Sequence, residues 1–160
     1  MKKDTEKTNA IRILEQKKVS FEVHNYVDSG AVSGEEIVAA LGEDPTAVFK
    51  TLVTVGKTGA HYVFLVPVCG ELDLKKAAAA VGEKSIAMIK SKELLPLTGY
   101  IHGGCSPVGM KKLFPTVIDA SAENLETMIV SAGKIGYQVE LAPRDLAALV
   151  RAKFADLIAK

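Results

Sequence analysis

The sequence has few of the residues on which several functional classes depend. It contains only two cysteines, Cys69 and Cys105, outside any CxxC pair, and three scattered histidines. We therefore expect neither a disulfide framework nor a structural metal site. The 20 lysines and arginines are balanced by 19 aspartates and glutamates, so the chain lacks the broad positive charge with which a protein coats duplex DNA. DNA is thus not an expected partner.

Long apolar runs are also missing. No segment approaches the roughly 20 residues that a helix needs to span a bilayer, and the polar N-terminal segment lacks the apolar core of a secretory signal. We expect a cytoplasmic protein with no membrane partner. What the sequence does contain is 48% hydrophobic residues in a chain of 160, which is enough for one compact domain over residues 1–160.

Several β-branched or aromatic segments predict strands. Two pairs of them are joined by the short loops GKTGAH and GKIG, which are typical of hairpins. Pro67 indicates that its strand ends there or lies at a sheet edge. With the intervening helices, this pattern predicts a mixed α/β fold around a central, largely antiparallel, barrel-like sheet. The predicted strands cover 21–27, 49–55, 62–68, 85–89, 116–119, 127–132 and 137–142.

Helices are predicted where apolar residues recur at offsets of three and four. The first contains Ile11 and Leu14, with Asp4, Thr5 and Thr8 as candidate N-caps. The clearest helical pattern closes the chain, because Pro143 suits a first helical position and an apolar face continues to Ile158. The other predicted helices lie between Ser33 and Gly42, between Asp73 and Gly82, and over 91–95.

The segment GGCSPVG, from Gly103 to Gly109, is the most unusual stretch of the sequence. Closely spaced glycines let a ligand approach backbone N–H groups, which can stabilise an anion or a developing oxyanion. The same spacing also suits a tight connection between strands, so a pocket wall and a simple turn both stay open. The segment matches neither a Walker A motif nor a dinucleotide fingerprint, which leaves nucleotide hydrolysis and hydride transfer without support.

The two cysteines have a chemical and a structural interpretation. Cys105 could be a nucleophile with His102, three residues upstream, as its base. An isolated cysteine is more often a small apolar packing residue, and we favour that interpretation for Cys105. Cys69, at the end of an apolar strand, is expected in the core.

Two further side chains leave alternatives open. Lys50 begins an apolar strand, where it could be solvated or could hold a phosphate or carbonyl oxygen as a point charge in a cleft. Tyr26 could be a half-buried strand residue or could supply a stacking surface and a hydroxyl to a ligand. Spacing alone does not decide either case.

Five ordered segments resemble the YbaK/EbsC family, and the resemblance covers nearly the whole chain. They are FKTL around Lys50, LDLKKAAAAVG from Leu72, TGYIHGGCSPVGMKK from Thr98, TVIDAS from Thr116, and VSAGKIG from Val130 with VELAPRDL after it. The branch that the chain resembles contains free-standing deacylases, related to the editing domain inserted in bacterial prolyl-tRNA synthetases. The resemblance implies hydrolysis of the ester that joins a wrong amino acid, typically cysteine on proline tRNA, to the 3′ end of tRNA.

The same resemblance implies the partners. Cysteine and proline are similar in size, so a synthetase pocket rejects the error poorly and a second sieve is useful. We expect mischarged tRNA as the substrate and prolyl-tRNA synthetase as a transient partner, with no cofactor and no metal.

The resemblance also implies a mechanism and a set of site residues. The thiol of the substrate cysteine attacks its own ester carbonyl and leaves as a cyclic thioester, so the protein supplies orientation and charge stabilisation. Backbone N–H groups of the glycine-rich segment would hold the carbonyl oxygen, and the lysine would anchor the terminal ribose or phosphate. The implied catalytic residues are Lys50 and Gly104, and the implied substrate-binding residues are Tyr26, Gly103, Ser106 and Ser131.

Two departures from the family pattern affect these expectations. Cys105 stands where family members commonly carry an aliphatic residue, which weakens the nucleophile hypothesis. Ala132 replaces a frequent glycine and could narrow the pocket. Two other functions are kept as alternatives: a non-catalytic module that binds tRNA or a synthetase, and a Cys105-dependent hydrolase of small acyl substrates.

Overall fold

The structure, a computed structural model, describes residues 7–31 and 33–160. Two of the candidate caps of the first helix, Asp4 and Thr5, lie outside these residues. The third candidate is the N-cap, because the side chain of Thr8 accepts a hydrogen bond from the backbone N–H of Ile11. The first helix therefore starts where the sequence pattern predicts.

Five α-helices, each of eight residues, are found in the described part of the chain. The predicted capping box of Ser33 and Glu36 starts the second helix, and the side chain of Asp73 caps the third. None of these helices is long and apolar enough to cross a membrane. Their bounds are α1 Asn9–Gln16, α2 Gly34–Leu41, α3 Leu74–Val81, α4 Ser91–Thr98 and α5 Pro143–Val150.

The strands form two sheets. A three-stranded antiparallel sheet has the order β1-β7-β6, and a five-stranded mixed sheet has the order β4-β2-β3-β5-β8. In the larger sheet β5 runs parallel to both of its neighbours. The strands are β1 Phe21–Asn25, β2 Phe49–Gly56, β3 His61–Pro67, β4 Ile86–Met88, β5 Thr116–Asp119, β6 Met128–Ser131, β7 Tyr137–Leu141 and β8 Lys153–Ala155.

The predicted mixed α/β class and the mostly antiparallel pairing are confirmed, but the described strands do not close into a barrel. Strand β7 pairs with β1 and β6 in a separate sheet instead of extending the larger one, and a parallel bridge between Val48 and Ile129 links the two sheets. Pro67 does end its strand, as predicted. The strand itself is central, since β3 pairs with both β2 and β5.

The closing helix is the element that sequence periodicity predicts wrongly. Helix α5 ends at Val150, and Arg151 takes a left-handed conformation with φ 56°. The chain then enters the larger sheet as β8, with Phe154 in register with Ile118. The apolar residues after Val150 follow helical spacing, yet their burial is achieved by pairing with β5. Sheet pairing thus overrides the local helical pattern.

The small sheet has one apolar and one polar face, because successive strand residues point to opposite sides. Tyr137, Val139 and Leu141 belong to a core cluster that includes residues of α1 and α5. The opposite face carries Gln138 of β7, which lies in register with His24 of β1 and with Ser131 of β6. This polar row lies beside the cavity that forms the candidate site.

Candidate active site

A cavity of about 590 Å³ lies between the small sheet, strand β2, the start of α2 and the glycine-rich segment. Its volume falls in the range of small-ligand sites, which are mostly apolar with a few placed polar groups. Val48, Phe49, Leu52 and Val53 supply much of the apolar wall. The polar side chains that line it include Tyr26, Lys50, Thr51, His102, Ser131 and Gln138.

One edge of β2 is open toward this cavity. Strand β3 pairs with β2 from Phe49 to Val55, whereas β4 pairs with the other edge only over residues 54–56. The carbonyl oxygen of Val53 accepts a hydrogen bond from the N–H of Ile89 on the β4 side. Backbone direction alternates along a strand, so the N–H and C=O of Thr51 also point to that side, beyond the end of β4. Within the described part of the chain, the cavity therefore meets β2 backbone that β4 does not pair.

Lys50 extends from this strand into the lining of the cavity and is half-buried. Among residues 7–31 and 33–160, no ion pair or hydrogen bond of its ammonium group is found. An ammonium group beside an apolar wall is a strong attractor of phosphate, carboxyl or carbonyl oxygen. Lys50 is thus placed to hold an anionic or polarised part of a ligand.

Tyr26 and Ser131 also line the cavity, from opposite edge strands of the small sheet. Tyr26 follows β1 directly and is 5% exposed, and its backbone N–H donates to the carbonyl oxygen of Gly136 at 2.7 Å. Ser131 ends β6, and its Oγ accepts a hydrogen bond from the N–H of Gly133 at 3.2 Å. The structure brings both residues together with Lys50 around one cavity.

The two leading glycines of the GGCSPVG segment have different environments. Gly103 lines the cavity with φ 88°. Gly104 is buried, and its N–H donates to the carbonyl oxygen of Ile101 at 3.0 Å. A Cβ at Gly104 would lie 3.0 Å from the backbone N of Ile135 and 3.2 Å from the Cα of Lys134. Gly104 therefore allows two loops to pack closely, and its N–H is already occupied, contrary to the expected role as an oxyanion donor.

Ser106 is not among the residues that line the cavity. It is 0% exposed, and its Oγ accepts a hydrogen bond from the N–H of Val108 at 3.2 Å. The hydroxyl thus holds the turn of the loop from beneath. The expectation that Ser106 touches substrate is not supported by this geometry.

Cys105 lines the cavity but is 8% exposed. Burial raises the pKa of its thiol to about 11, although a hydrogen bond with Thr98 acts in the opposite direction. The thiol is therefore protonated at neutral pH, which is the less nucleophilic form. Cys69 is exposed, and its Sγ lies 3.7 Å from the carbonyl oxygen of Pro45, so the expectation of a core position was wrong.

Ala132 belongs to the core cluster behind the small sheet and is 0% exposed. Its N–H donates to the carbonyl oxygen of Tyr137 at 3.1 Å. The methyl group packs on the side of the sheet that faces away from the polar row, so it does not narrow the cavity directly.

Two polar residues at the cavity were missed by sequence reasoning. Thr51 has a buried Oγ1 without a hydrogen-bond partner in the described part of the chain, and Gln138 is 6% exposed. Thr51 lies inside the FKTL segment, directly after Lys50. Gln138 lies in YQVEL, where polar residues alternate with core residues. That alternation is a signal of a second, polar sheet face.

Comparisons with known proteins show the family to which the chain is related. The chain matches the model of the aminoacyl-tRNA editing domain over residues 28–149, a range that includes Lys50, the glycine-rich segment and Gln138. It is 45% identical to a protein of Enterococcus faecalis (strain ATCC 700802 / V583) provisionally named Cys-tRNA(Pro)/Cys-tRNA(Cys) deacylase EbsC, over 99% of this chain and 98% of that protein.

Two further relatives connect the chain to proline tRNA synthetases. It is 30% identical to the proline tRNA ligase of Shouchella clausii (strain KSM-K16) over 103 residues, which are 64% of this chain and 18% of the ligase. A crystal structure of a protein provisionally described as a trans-editing enzyme for prolyl tRNA synthetase matches with a TM-score of 0.84 and 29% identity, over 98% of this chain and 100% of that one. The chain belongs to the family of aminoacyl-tRNA editing domains.

Proposed function

We propose that this protein is a trans-editing deacylase that hydrolyses the ester bond of mischarged tRNA, with Cys-tRNA(Pro) as its substrate. The observation that carries the proposal is the position of Lys50, which lines a mostly apolar cavity within the matched editing domain. The name of the relative with 45% identity supports the choice of substrate.

The apolar wall and the few polar groups of the cavity would have different roles in substrate binding. Val48, Phe49 and Val53 would surround the small amino acid side chain and exclude water from it. Lys50 would hold the terminal ribose or phosphate as a point charge. The N–H of Gly103 would donate a hydrogen bond to the ester carbonyl oxygen. The N–H of Gly104 is not proposed for this role, because it already donates within the loop.

The chemical step needs no nucleophile from the protein. The sulfur of the substrate cysteine forms a bond to the ester carbonyl carbon, and the bond from that carbon to the ribose oxygen breaks. The thiol proton is lost to solvent, and the departing ribose oxygen takes up a proton. The products are tRNA with a free terminal hydroxyl and a cyclic thioester, which water opens to cysteine. The protein contributes by holding sulfur and carbonyl carbon in an attacking geometry.

The Cys105-dependent hydrolase is the weaker alternative. Cys105 does line the cavity, but burial holds its thiol in the protonated form at neutral pH. A nucleophilic cysteine needs a lowered pKa or an adjacent base.

Prolyl-tRNA synthetase is the proposed transient partner. The chain has a formal net charge of only +1, and tRNA affinity depends on contacts of basic residues with phosphates. A synthetase that already holds the tRNA would supply the missing affinity. Adding the synthetase should therefore lower the KM for Cys-tRNA(Pro), and an unchanged KM would contradict the partnership.

The proposal is tested by deacylation of tRNA(Pro) charged in turn with cysteine, alanine and proline, at enzyme concentrations well below substrate. We expect repeated turnover of the cysteine ester and little turnover of the proline ester. Loss of the cysteine ester no faster than in buffer would refute the function. Tight binding of tRNA(Pro) without turnover would instead identify a non-catalytic binding module.

A further inference from the structure

A buried polar network lies behind the cavity wall that Gln138 forms. The side chain of Glu43, in the loop after α2, is 4% exposed. The side-chain nitrogen of Gln138 donates to the two carboxylate oxygens of Glu43 at 2.7 and 3.2 Å, in the amide orientation that satisfies both residues. Glu43 itself does not line the cavity, so it contacts an occupant only through Gln138.

This contact fixes which end of the Gln138 carboxamide is available. An ionised carboxylate accepts hydrogen bonds and donates none, so the amide nitrogen faces Glu43 in the orientation that satisfies both residues. The carbonyl oxygen is then the polar atom that Gln138 can offer to an occupant of the cavity. An oxygen of this kind accepts hydrogen bonds and favours a cationic donor.

Glu43 is held in turn by residues of β1 and β7. The Nδ1 of His24 lies 3.6 Å from Glu43 Oε2, and its Nε2 lies 2.7 Å from Oε1 of Glu140. The hydroxyl of Thr127 donates to the other oxygen of Glu140. Burial is the main cause that raises the pKa of Glu43, and the nearby Glu140 raises it further. His24 and the hydrogen bond from Gln138 lower the same pKa. The network therefore gives the buried carboxylate a defined position.

We propose that Glu43 is a positioning residue that orients Gln138, and that the Gln138 carbonyl oxygen accepts a hydrogen bond from the free α-ammonium group of the substrate amino acid. This inference rests on the proposed deacylase function and adds a substrate class to it. The protein would act on esters of amino acids with a free amino group and would spare tRNA whose amino acid is already acylated, such as peptidyl-tRNA.

The experiment compares two esters of tRNA(Pro) that differ only in this group. One carries cysteine and the other 3-mercaptopropionate, which keeps the attacking thiol and lacks the amino group. The measured quantity is the ratio of kcat/KM for the cysteine ester to kcat/KM for the deaminated ester. Because the intrinsic reactivity of each ester is the same for every variant, changes in this ratio report on recognition of the amino group.

Gln138→Met keeps the length of the side chain and removes its acceptor. We expect it to lower the ratio about tenfold, the usual effect of losing a hydrogen bond to a charged group. Glu43→Gln removes the constraint on the amide and should lower the ratio by a smaller factor, and Glu43→Asp by less again. Glu22→Gln is the matched control, because Glu22 is an exposed carboxylate on the same face of β1 as His24. This variant should leave the ratio unchanged.

The outcomes separate this inference from the function beneath it. A wild-type ratio in Gln138→Met, or in both Glu43 variants, with normal thermal unfolding, would overturn the positioning role while the deacylase function stands. Equal loss of activity on both esters would indicate a merely structural role and would also overturn it. A wild-type protein that deacylates neither ester would refute the proposed function and this inference together.

Discussion

The two walls of the cavity differ in how their polar groups are used. On the glycine-rich wall, the N–H of Gly104 and the hydroxyl of Ser106 are hydrogen-bonded within the loop, and the thiol of Cys105 is buried and protonated. On the β2 wall, Lys50 lines the cavity and its ammonium group has no partner in the described part of the chain, and the buried hydroxyl of Thr51 has no partner there either. Residues that look reactive in the sequence thus build the loop, whereas the unpaired polar groups lie on an ordinary strand.

The largest expected effect follows from removing the charge on the β2 wall. Lys50→Met should lower kcat/KM for Cys-tRNA(Pro) roughly 100-fold, as loss of a preorganised electrostatic contact does. Stability should change little, since no ion pair is lost among the described residues. Lys57→Met, in the exposed turn of the same hairpin, is the control and should keep activity. Equal activity of the two variants would remove Lys50 from the site.

Gly104→Ala tests whether the glycine-rich wall acts through its shape. The new Cβ would meet backbone atoms of Lys134 and Ile135 at 3.0 to 3.2 Å, so one loop must move. We expect a loss of about 1–3 kcal/mol in the free energy of unfolding and a clear loss of activity. The control is Gly59→Ala. Gly59 has φ 92° and no atom within 4 Å of an added Cβ, so this variant should destabilise the fold through backbone strain without lowering kcat/KM. A fully stable but inactive Gly104→Ala would argue for direct contact with substrate instead.

Thr51→Val separates stability from function on the β2 wall. Replacing a buried, unpaired hydroxyl by a methyl group should raise the free energy of unfolding by about 1 kcal/mol. If the hydroxyl contacts substrate, kcat/KM should fall several-fold at the same time. The control is Thr54→Val on the same strand, where the hydroxyl donates to the carbonyl oxygen of Tyr62 at 2.9 Å. Thr54→Val should lower the free energy of unfolding, because it removes this hydrogen bond. An equal loss of unfolding free energy in Thr51→Val would show that the Thr51 hydroxyl does have a partner.

The smallest effect is expected at Cys105. Cys105→Ala should keep kcat/KM within about twofold, because a thiol with a raised pKa contributes little thiolate at neutral pH. Alkylation followed by mass spectrometry should modify exposed Cys69 first, and Cys105 only as the pH rises toward about 11. Loss of activity in a folded Cys105→Ala protein would restore the thiol-dependent mechanism.

Local signals in the sequence were sufficient for most elements. The capping box of Ser33 and Glu36, the cap at Asp73 and the hairpin of β2 and β3 depend on residues close in the chain, and the structure has each of them. Strand β1 is shorter than predicted because Val27–Ser29 forms a turn of 3-10 helix. Helix α4 continues to Thr98, three residues beyond its predicted end.

The amino-acid pattern was enough to predict the mixed α/β class, most strands and helices, and the resemblance that leads to Lys50. The pairing of residues 153–155 with β5, the open edge of β2 and the contact of Glu43 with Gln138 became visible only in the folded chain. One cause explains all three. Caps and hairpins are set by neighbours a few residues away, whereas sheet edges and buried polar contacts depend on partners that are distant in the chain.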